Sequence, residues 1–92
     1  MTTDATIAER NATHGNWAEQ SATSQALKDI LRGARNWKRM TASQREALDM
    51  ACVKMSRIVN GDPNHADHWH DLQGYPRLGE KGCETRPDVL NG

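Results

Sequence analysis

The chain has 92 residues and no net charge, because 12 basic side chains balance 12 acidic ones. This length allows one small domain, and six Leu, three Ile, three Val and no Phe leave little apolar material for its core. An oligomer, in which an interface supplies the missing apolar burial, is favoured over a monomer built on Trp, Met and Ala. The sequence lacks a run of about 20 apolar residues, which excludes a membrane span. We expect a cytoplasmic protein, because no apolar signal-peptide core is present and two cysteines fit a reducing compartment.

Two helices are predicted in the first third of the chain. The first covers residues 4–13, with Thr3 or Asp4 as its cap, and His14-Gly15-Asn16 breaks it because Gly and Asn tolerate positive φ. The second covers about residues 18–34, where Gly33 and a basic loop end it. Its apolar positions have helical spacing, and they are Thr23, Leu27, Ile30, Leu31 and Ala34.

The third helix has the clearest sequence signature. Ser43 and Glu46 have the spacing of a capping box, in which each side chain satisfies a free backbone donor. Gly61 is placed to end this helix, and Asp62-Pro63 predicts a fourth one, with Asp as N-cap and Pro at the first helical position. Between these signals runs an apolar stripe at periods of three and four, formed by Ala47, Leu48, Ala51, Met55, Ile58 and Val59.

The fourth helix is expected to stop or kink at Gly74 and Pro76. Beyond residue 79, Gly, Pro and charged residues dominate without periodicity. The sequence therefore predicts an all-α fold, a compact and oligomeric bundle of three to four short helices in residues 1–79, followed by a flexible tail at 80–92.

The middle of the chain is basic. Residues 27–57 hold eight basic and three acidic side chains, whereas both flanking segments are acidic. Within this segment, the loop Arg35-Asn36-Trp37-Lys38-Arg39 interleaves cations with an indole, a combination that suits phosphate and base contacts. A solvated helix end with a core Trp is the alternative interpretation.

Chemically versatile side chains are densest in residues 65–75, which contain three His, two Asp, a Trp and a Tyr. His and Asp at turn-related spacing could ligate a divalent metal, although the chain has neither His-Glu-x-x-His nor a Cys pair. The dipeptide His70-Asp71 is also found in HD-type phosphohydrolases. In a purely structural interpretation, Trp69 and Tyr75 are core and the polar residues make helix-surface contacts.

Acidic pairs on the third and fourth helices suggest a further interpretation. MazG-like all-α nucleoside triphosphate pyrophosphohydrolases hold magnesium against a triphosphate with such pairs. The first Glu-x-x-Glu of that class is missing here, as it would be in a decayed relative. The candidate magnesium ligands are Glu46, Asp49, Asp67 and Asp71.

Two motifs resemble a family of small phage and prophage proteins of the DUF6378 type, a domain of unknown function. The first is Thr13-His14-Gly15-Asn16-Trp17, and the second combines Lys54-x-x-Arg57 with Asp67-x-x-x-Asp71-x-x-Gly74-Tyr75. The resemblance covers about residues 10–79, and Pro76 departs from it where Ala is expected. It implies a helical fold, a phage origin and hence the cytoplasm of an infected bacterium, and it implies no activity.

We expect a non-enzymatic, nucleotide-binding homo-oligomer without a cofactor, such as a sponge for a cyclic or ADP-ribose-type immune signal. The alternatives are the magnesium-dependent MazG-like hydrolase and a DNA- or protein-binding accessory factor that uses the basic segment. Neutral net charge and the lack of a helix-turn-helix signature argue against DNA. The predicted ligand-binding residues are His14, Arg35, Trp37, Arg39, Lys54, Arg57, His68, Trp69, His70, Asp71 and Tyr75.

Overall fold

The computed structural model describes the backbone of residues 3–83 and the side chains from residue 6 onward, and this part of the chain is all-α. α3 packs most extensively against α4 and then against α2, while α1 lies against both α2 and α3. None of the helices between residues 3 and 83 has the length and apolar composition needed to span a bilayer. In chain order the elements are α1 (Thr3–His14), α2 (Trp17–Arg32), a 3₁₀ turn (Trp37–Arg39), α3 (Ala42–Asn60) and α4 (Ala66–Cys83).

The break between α1 and α2 is confirmed at the predicted residues. Gly15 has a φ of +86°, a left-handed conformation that favours glycine. The side chain of Asn16 caps α2 by accepting hydrogen bonds from the backbone N–H of Ala18 at 2.9 Å and of Glu19 at 3.2 Å. Gly33 ends α2 as predicted, and its N–H donates to backbone carbonyls of the last turn.

Two glycines bring the α1–α2 junction against the α3–α4 junction. A Cβ added to Gly15 would lie 2.6 Å from the carbonyl carbon of Asn60, and one added to Gly61 would lie 2.6 Å from the carbonyl carbon of His14. Such distances are possible only because neither residue has a side chain. We call this the glycine contact. It places the end of α1 beside the last turn of α3.

The capping box of α3 is present, but the prediction of Ser43 and Glu46 is wrong. Thr41 is the N-cap: its hydroxyl accepts from the Gln44 N–H at 3.0 Å, and the Gln44 side chain accepts from the Thr41 N–H at 3.0 Å. Both pairs have the same spacing, so the local pattern alone does not separate them. Tertiary packing distinguishes the two pairs, because Gly82 of α4 lies against the side chains of Thr41 and Gln44.

The predicted start of α4 at Asp62-Pro63 is also wrong, since the helix begins at Ala66. The Asp62 side chain accepts from the Asn64 N–H at 2.9 Å, which forms a local turn instead of a helix cap. The Asp62 N–H in turn donates to the Thr13 carbonyl at 3.0 Å. These two hydrogen bonds hold the segment in a turn outside the helix.

α4 continues through Gly74 and Pro76 to Cys83, so the predicted stop or kink does not end it and the expected boundary at residue 79 lies inside a helix. Packing of α4 against α3 compensates for the poor helix propensity of Gly74 and Pro76. A Cβ on Gly79 would lie 3.8 Å from that of Ala47, and the Gln44 side chain donates to the Cys83 sulfur at 3.5 Å. Residues 84–92 of the predicted tail lie outside the described residues.

The predicted apolar faces are only partly buried. Ala47 and Ile58 are buried, together with Cys52, whereas Ile30 and Val59 are 72% and 70% exposed although they belong to the predicted apolar stripes. Polar side chains occupy the helix interfaces instead, and those that are buried in the described part of the chain are Gln20, Ser24, Lys54, Ser56 and His68. The bundle therefore has a small and unusually polar core.

Candidate functional site

A cleft of about 180 Å³ opens between the end of α1, the start of α2 and the last turns of α3. Two arginines face it, with amide and aromatic side chains around them, and its lining within the described residues includes no carboxylate. We call it the arginine cleft and define it by Arg10, Asn11, His14, Trp17, Gln20 and Arg57.

Local structure explains how these side chains meet. Arg10 and His14 are one turn apart on α1, so they share a face of that helix. The sharp turn at Gly15 then makes Trp17 the first residue of α2, where its indole is 70% exposed at the rim. Arg57 reaches the cleft from α3 because the glycine contact holds the end of that helix against α1.

Arg57 has a buried donor without an acceptor. Its Nε is shielded from solvent and makes no hydrogen bond to any residue in the described part of the chain. Leaving a buried donor unsatisfied costs about 1–3 kcal/mol, and more when the group is charged. Native proteins pair nearly all of their buried donors, and either an ordered water or an oxygen of a bound ligand can accept from this one.

Three histidine rings stack edge to face behind this cleft. The ring centroids of His14 and His68 are 4.6 Å apart, and those of His65 and His68 are 4.7 Å apart. The His68 Nε2 lies 3.0 Å from the Thr13 carbonyl oxygen, which can only accept, so Nε2 carries the proton. His68 therefore links α4 to α1, and its role is to hold the wall of the cleft.

His14 is neutral at physiological pH. Burial is the main cause that lowers its pKa from the usual 6.5, and the positive charge of Arg57 and the proximity of His68 lower it further. The ring therefore adds no charge of its own to the empty cleft.

Of the predicted ligand-binding residues, His14 and Arg57 line the arginine cleft, and His68 lies directly behind His14. Lys54 and Asp71 form a separate pair between α3 and α4, with Nζ and Oδ2 2.9 Å apart. The hydrogen bond from Lys54, reinforced by its charge, lowers the pKa of the Asp71 carboxyl. Because Lys54 is buried and satisfied by Asp71, this pair serves to join the two helices.

The basic loop lies at the other end of α2 from the arginine cleft. Sixteen residues of helix separate the two, which corresponds to about 24 Å at 1.5 Å per residue. Arg45 fixes the loop by donating to the carbonyls of Trp37 at 3.1 Å and Lys38 at 2.8 Å. Arg35, Trp37 and Arg39 therefore cannot share a small ligand with His14 and Arg57.

The remaining predicted aromatic and polar residues lie along α4. The Trp69 Nε1 donates to the Pro63 carbonyl at 2.7 Å, and the ring is half exposed on the surface. His70 and Tyr75 line a shallow groove on α4 with Asp71. Tyr75 also borders an apolar groove between α3 and α4.

The four candidate magnesium ligands do not converge. Asp49 pairs with Arg32 of α2 at 3.6 Å, Asp71 pairs with Lys54, and the largely exposed Asp67 lies 3.8 Å from His65. Glu46 lines a shallow pocket elsewhere, and no three His, Cys, Asp or Glu side chains form a metal-binding group among residues described by the structure. The positions of these four carboxylates therefore give no support to the MazG-like hydrolase over a nucleotide-binding protein without catalysis.

Sequence reasoning missed Arg10 and Trp17. Trp17 belongs to the Thr13–Trp17 motif that carries the family resemblance, and Arg10 precedes His14 by one helical turn. Helical spacing from His14 could have identified Arg10, because residues four apart lie on the same face of a helix. The position of the Trp17 indole could not be predicted, because the break at residues 14–16 does not determine the direction of α2 relative to α1.

The match to a known protein family covers nearly all of the described chain. The sequence model of DUF6378, a domain of unknown function, matches residues 2–82. The chain belongs to this family. No curated protein and no solved structure matches it. The matched range contains both the arginine cleft and the glycine contact, so these are features of the DUF6378 domain in this chain.

Proposed function

We propose that the protein binds a nucleotide in the arginine cleft and holds its phosphate with Arg57 and Arg10. The observation that carries the proposal is the buried and unpartnered Nε of Arg57, in a cleft that has two cations and no carboxylate in its described lining. Arginine presents several donors in a planar fork that matches a phosphate group.

Trp17 supports a base at the rim of the cleft. Its exposed indole lies beside the phosphate-binding side chains and can stack on a nucleobase without choosing among bases. The amides of Asn11 and Gln20 offer donors and acceptors to the sugar or the base edge. A phosphate flanked by a ring is the common feature of nucleotides.

The proposal is tested by calorimetric titration of the protein with AMP, which measures affinity without a tryptophan signal. We expect Trp17→Ala to weaken the affinity for AMP by about 1–3 kcal/mol through loss of stacking. Trp69→Ala is the matched control and should keep its affinity, because its indole donates to Pro63 outside the cleft. Loss of binding in Trp69→Ala but not in Trp17→Ala would move the site to α4, where the sequence placed it.

Self-association is part of the proposal, and the exposed surface of α3 supports it. Leu48, Met55 and Val59 lie on one face of the helix, and their side chains are 39%, 38% and 70% exposed. The described part of the chain buries few apolar residues of its own. A second copy covering this stripe would supply the burial that the small core lacks.

Native mass spectrometry tests the oligomer and the ligand together. We expect a multimer that carries a nucleotide when the protein is purified from bacteria that produce signalling nucleotides, as sequestration during phage infection requires. Met55→Glu should shift the multimer to monomer because it places a charge in the interface. Leu78→Glu, at an exposed position of α4, should not. A wild-type monomer without ligand would count against both self-association and sequestration.

A further inference from the structure

The charge of the arginine cleft restricts the kind of phosphate that it can match. Arg10 and Arg57 supply two fixed positive charges, and no carboxylate of the described lining offsets them. A bridging phosphodiester carries one negative charge, whereas a terminal phosphate monoester carries about 1.5 to 2 near pH 7. Charge matching therefore favours a terminal phosphate.

The size of the cleft points the same way. Its volume of about 180 Å³ is below the roughly 300–1,000 Å³ of pockets that enclose a drug-sized molecule. Walls from α1, α2 and α3 surround it, so it can enclose the end of a ligand while the rest lies along the rim. A terminal phosphate fits such a cleft better than a phosphate in the middle of a ring or chain.

Hydrogen bonding determines which ring nitrogen of His14 is free to contact a bound phosphate. The Thr13 hydroxyl lies 3.3 Å from the Arg10 carbonyl and 2.6 Å from the His14 Nδ1. The carbonyl only accepts, so both contacts are satisfied when the hydroxyl donates to it and accepts from Nδ1–H. Nε2 is then the nitrogen that can take up a second proton and donate to a bound oxygen.

Among the described residues, the groups around His14 are positive or neutral on every helix. Arg10 lies on α1, Arg57 on α3 and His68 on α4, while α2 contributes the uncharged Trp17 and Gln20. These surroundings, together with burial, hold the pKa of His14 below 6.5 in the empty cleft. A phosphate dianion at the same place reverses the sign of the local charge and favours the protonated ring.

We propose that the arginine cleft selects a terminal phosphate monoester and that binding adds a proton to His14 Nε2, which then donates to a phosphate oxygen. This inference rests on the proposed nucleotide site and names its ligand class. The proton comes from solvent, no covalent bond is made or broken, and the ligand is released unchanged.

Calorimetric titrations with AMP and with 3′,5′-cyclic AMP test the selectivity, because the two share base and sugar and differ in the phosphate. We expect AMP to bind at least about 10-fold more tightly, which is the size of one added charged hydrogen bond. Above about pH 6.5 the phosphate of AMP is mostly a dianion, so its own titration contributes little there.

The pH dependence tests the proton. Because binding takes up a proton, the affinity for AMP should fall as pH rises from about 6.5 to about 8.5, by up to about 10-fold per unit. Titrations in buffers of different ionisation enthalpy should count up to about one proton gained per AMP. His14→Gln should remove the dependence, and His70→Gln, which changes a histidine on the surface of α4, should retain it.

The outcomes separate this inference from the proposed function. Equal affinities for AMP and cyclic AMP would overturn the terminal-phosphate assignment, and an affinity for AMP that does not change with pH would overturn proton uptake by His14. Either result leaves a nucleotide site in place. If neither compound binds at millimolar concentration, the nucleotide site itself is wrong and the inference fails with it.

Discussion

Gly15→Ala is expected to lower the free energy of unfolding by about 3–5 kcal/mol, because it strains the backbone and forces two helix junctions apart. The φ of +86° at Gly15 disfavours any residue with a Cβ, and the new methyl group would overlap the backbone of Asn60. For a domain of this size the loss corresponds to a melting temperature lower by roughly 15–30 °C. Thermal unfolding followed by circular dichroism measures it.

Two further glycine variants separate the effect of steric overlap from the effect of backbone strain. Gly61→Ala has the same overlap from the other side, against the backbone of His14, but its φ is negative, so we expect a smaller loss of about 1–3 kcal/mol. Gly74→Ala is the matched control, since nothing lies within 4 Å of its added Cβ. Within a helix that change should stabilise by about 0.5–1 kcal/mol. A Gly15→Ala protein that melts with the wild type would show that the glycine contact does not hold the fold.

The glycine contact also explains which parts of the fold could be predicted from sequence. The break at residues 14–16 depends on local conformational preferences, so the sequence predicts it correctly. The start of α4 depends on a backbone hydrogen bond between Asp62 and Thr13, which are distant in sequence. A local pattern such as Asp-Pro carries no information about that partner, and the predicted N-cap was therefore wrong.

The same distinction applies to the candidate site. His14 and Arg57 each stand in a recognisable motif, and the sequence predicted both as ligand-binding residues. It could not show that they face one cleft, because the packing of α1 against α3 decides this. The sequence also predicted ligand-binding residues in the dense segment at residues 65–75, yet Asp71 pairs with Lys54 and the Trp69 indole donates to Pro63. A high density of polar and aromatic residues can serve helix packing.

Removing the Arg57 guanidinium should have opposite effects on binding and on stability. We expect Arg57→Met to weaken AMP binding by about 10- to 150-fold, because charged hydrogen bonds to the phosphate contribute about 1.5–3 kcal/mol. The same variant should unfold at a temperature equal to or above that of the wild type, since it removes a buried donor that has no acceptor within the described chain. Titration calorimetry and thermal unfolding on one preparation give both values.

Arg45→Met is the matched control, and its expected pattern is the reverse. Arg45 donates to two backbone carbonyls of the 3₁₀ turn, far from the arginine cleft, so its loss should destabilise the fold by about 1–2 kcal/mol and leave AMP affinity unchanged. Arg57 would instead be a structural residue if Arg57→Met destabilised the protein as much as Arg45→Met does. We expect instead that Arg57→Met does not destabilise the protein. The reason is that a side chain that stabilises the empty fold would find its hydrogen-bond acceptor within that fold, and the Arg57 Nε finds none among the described residues.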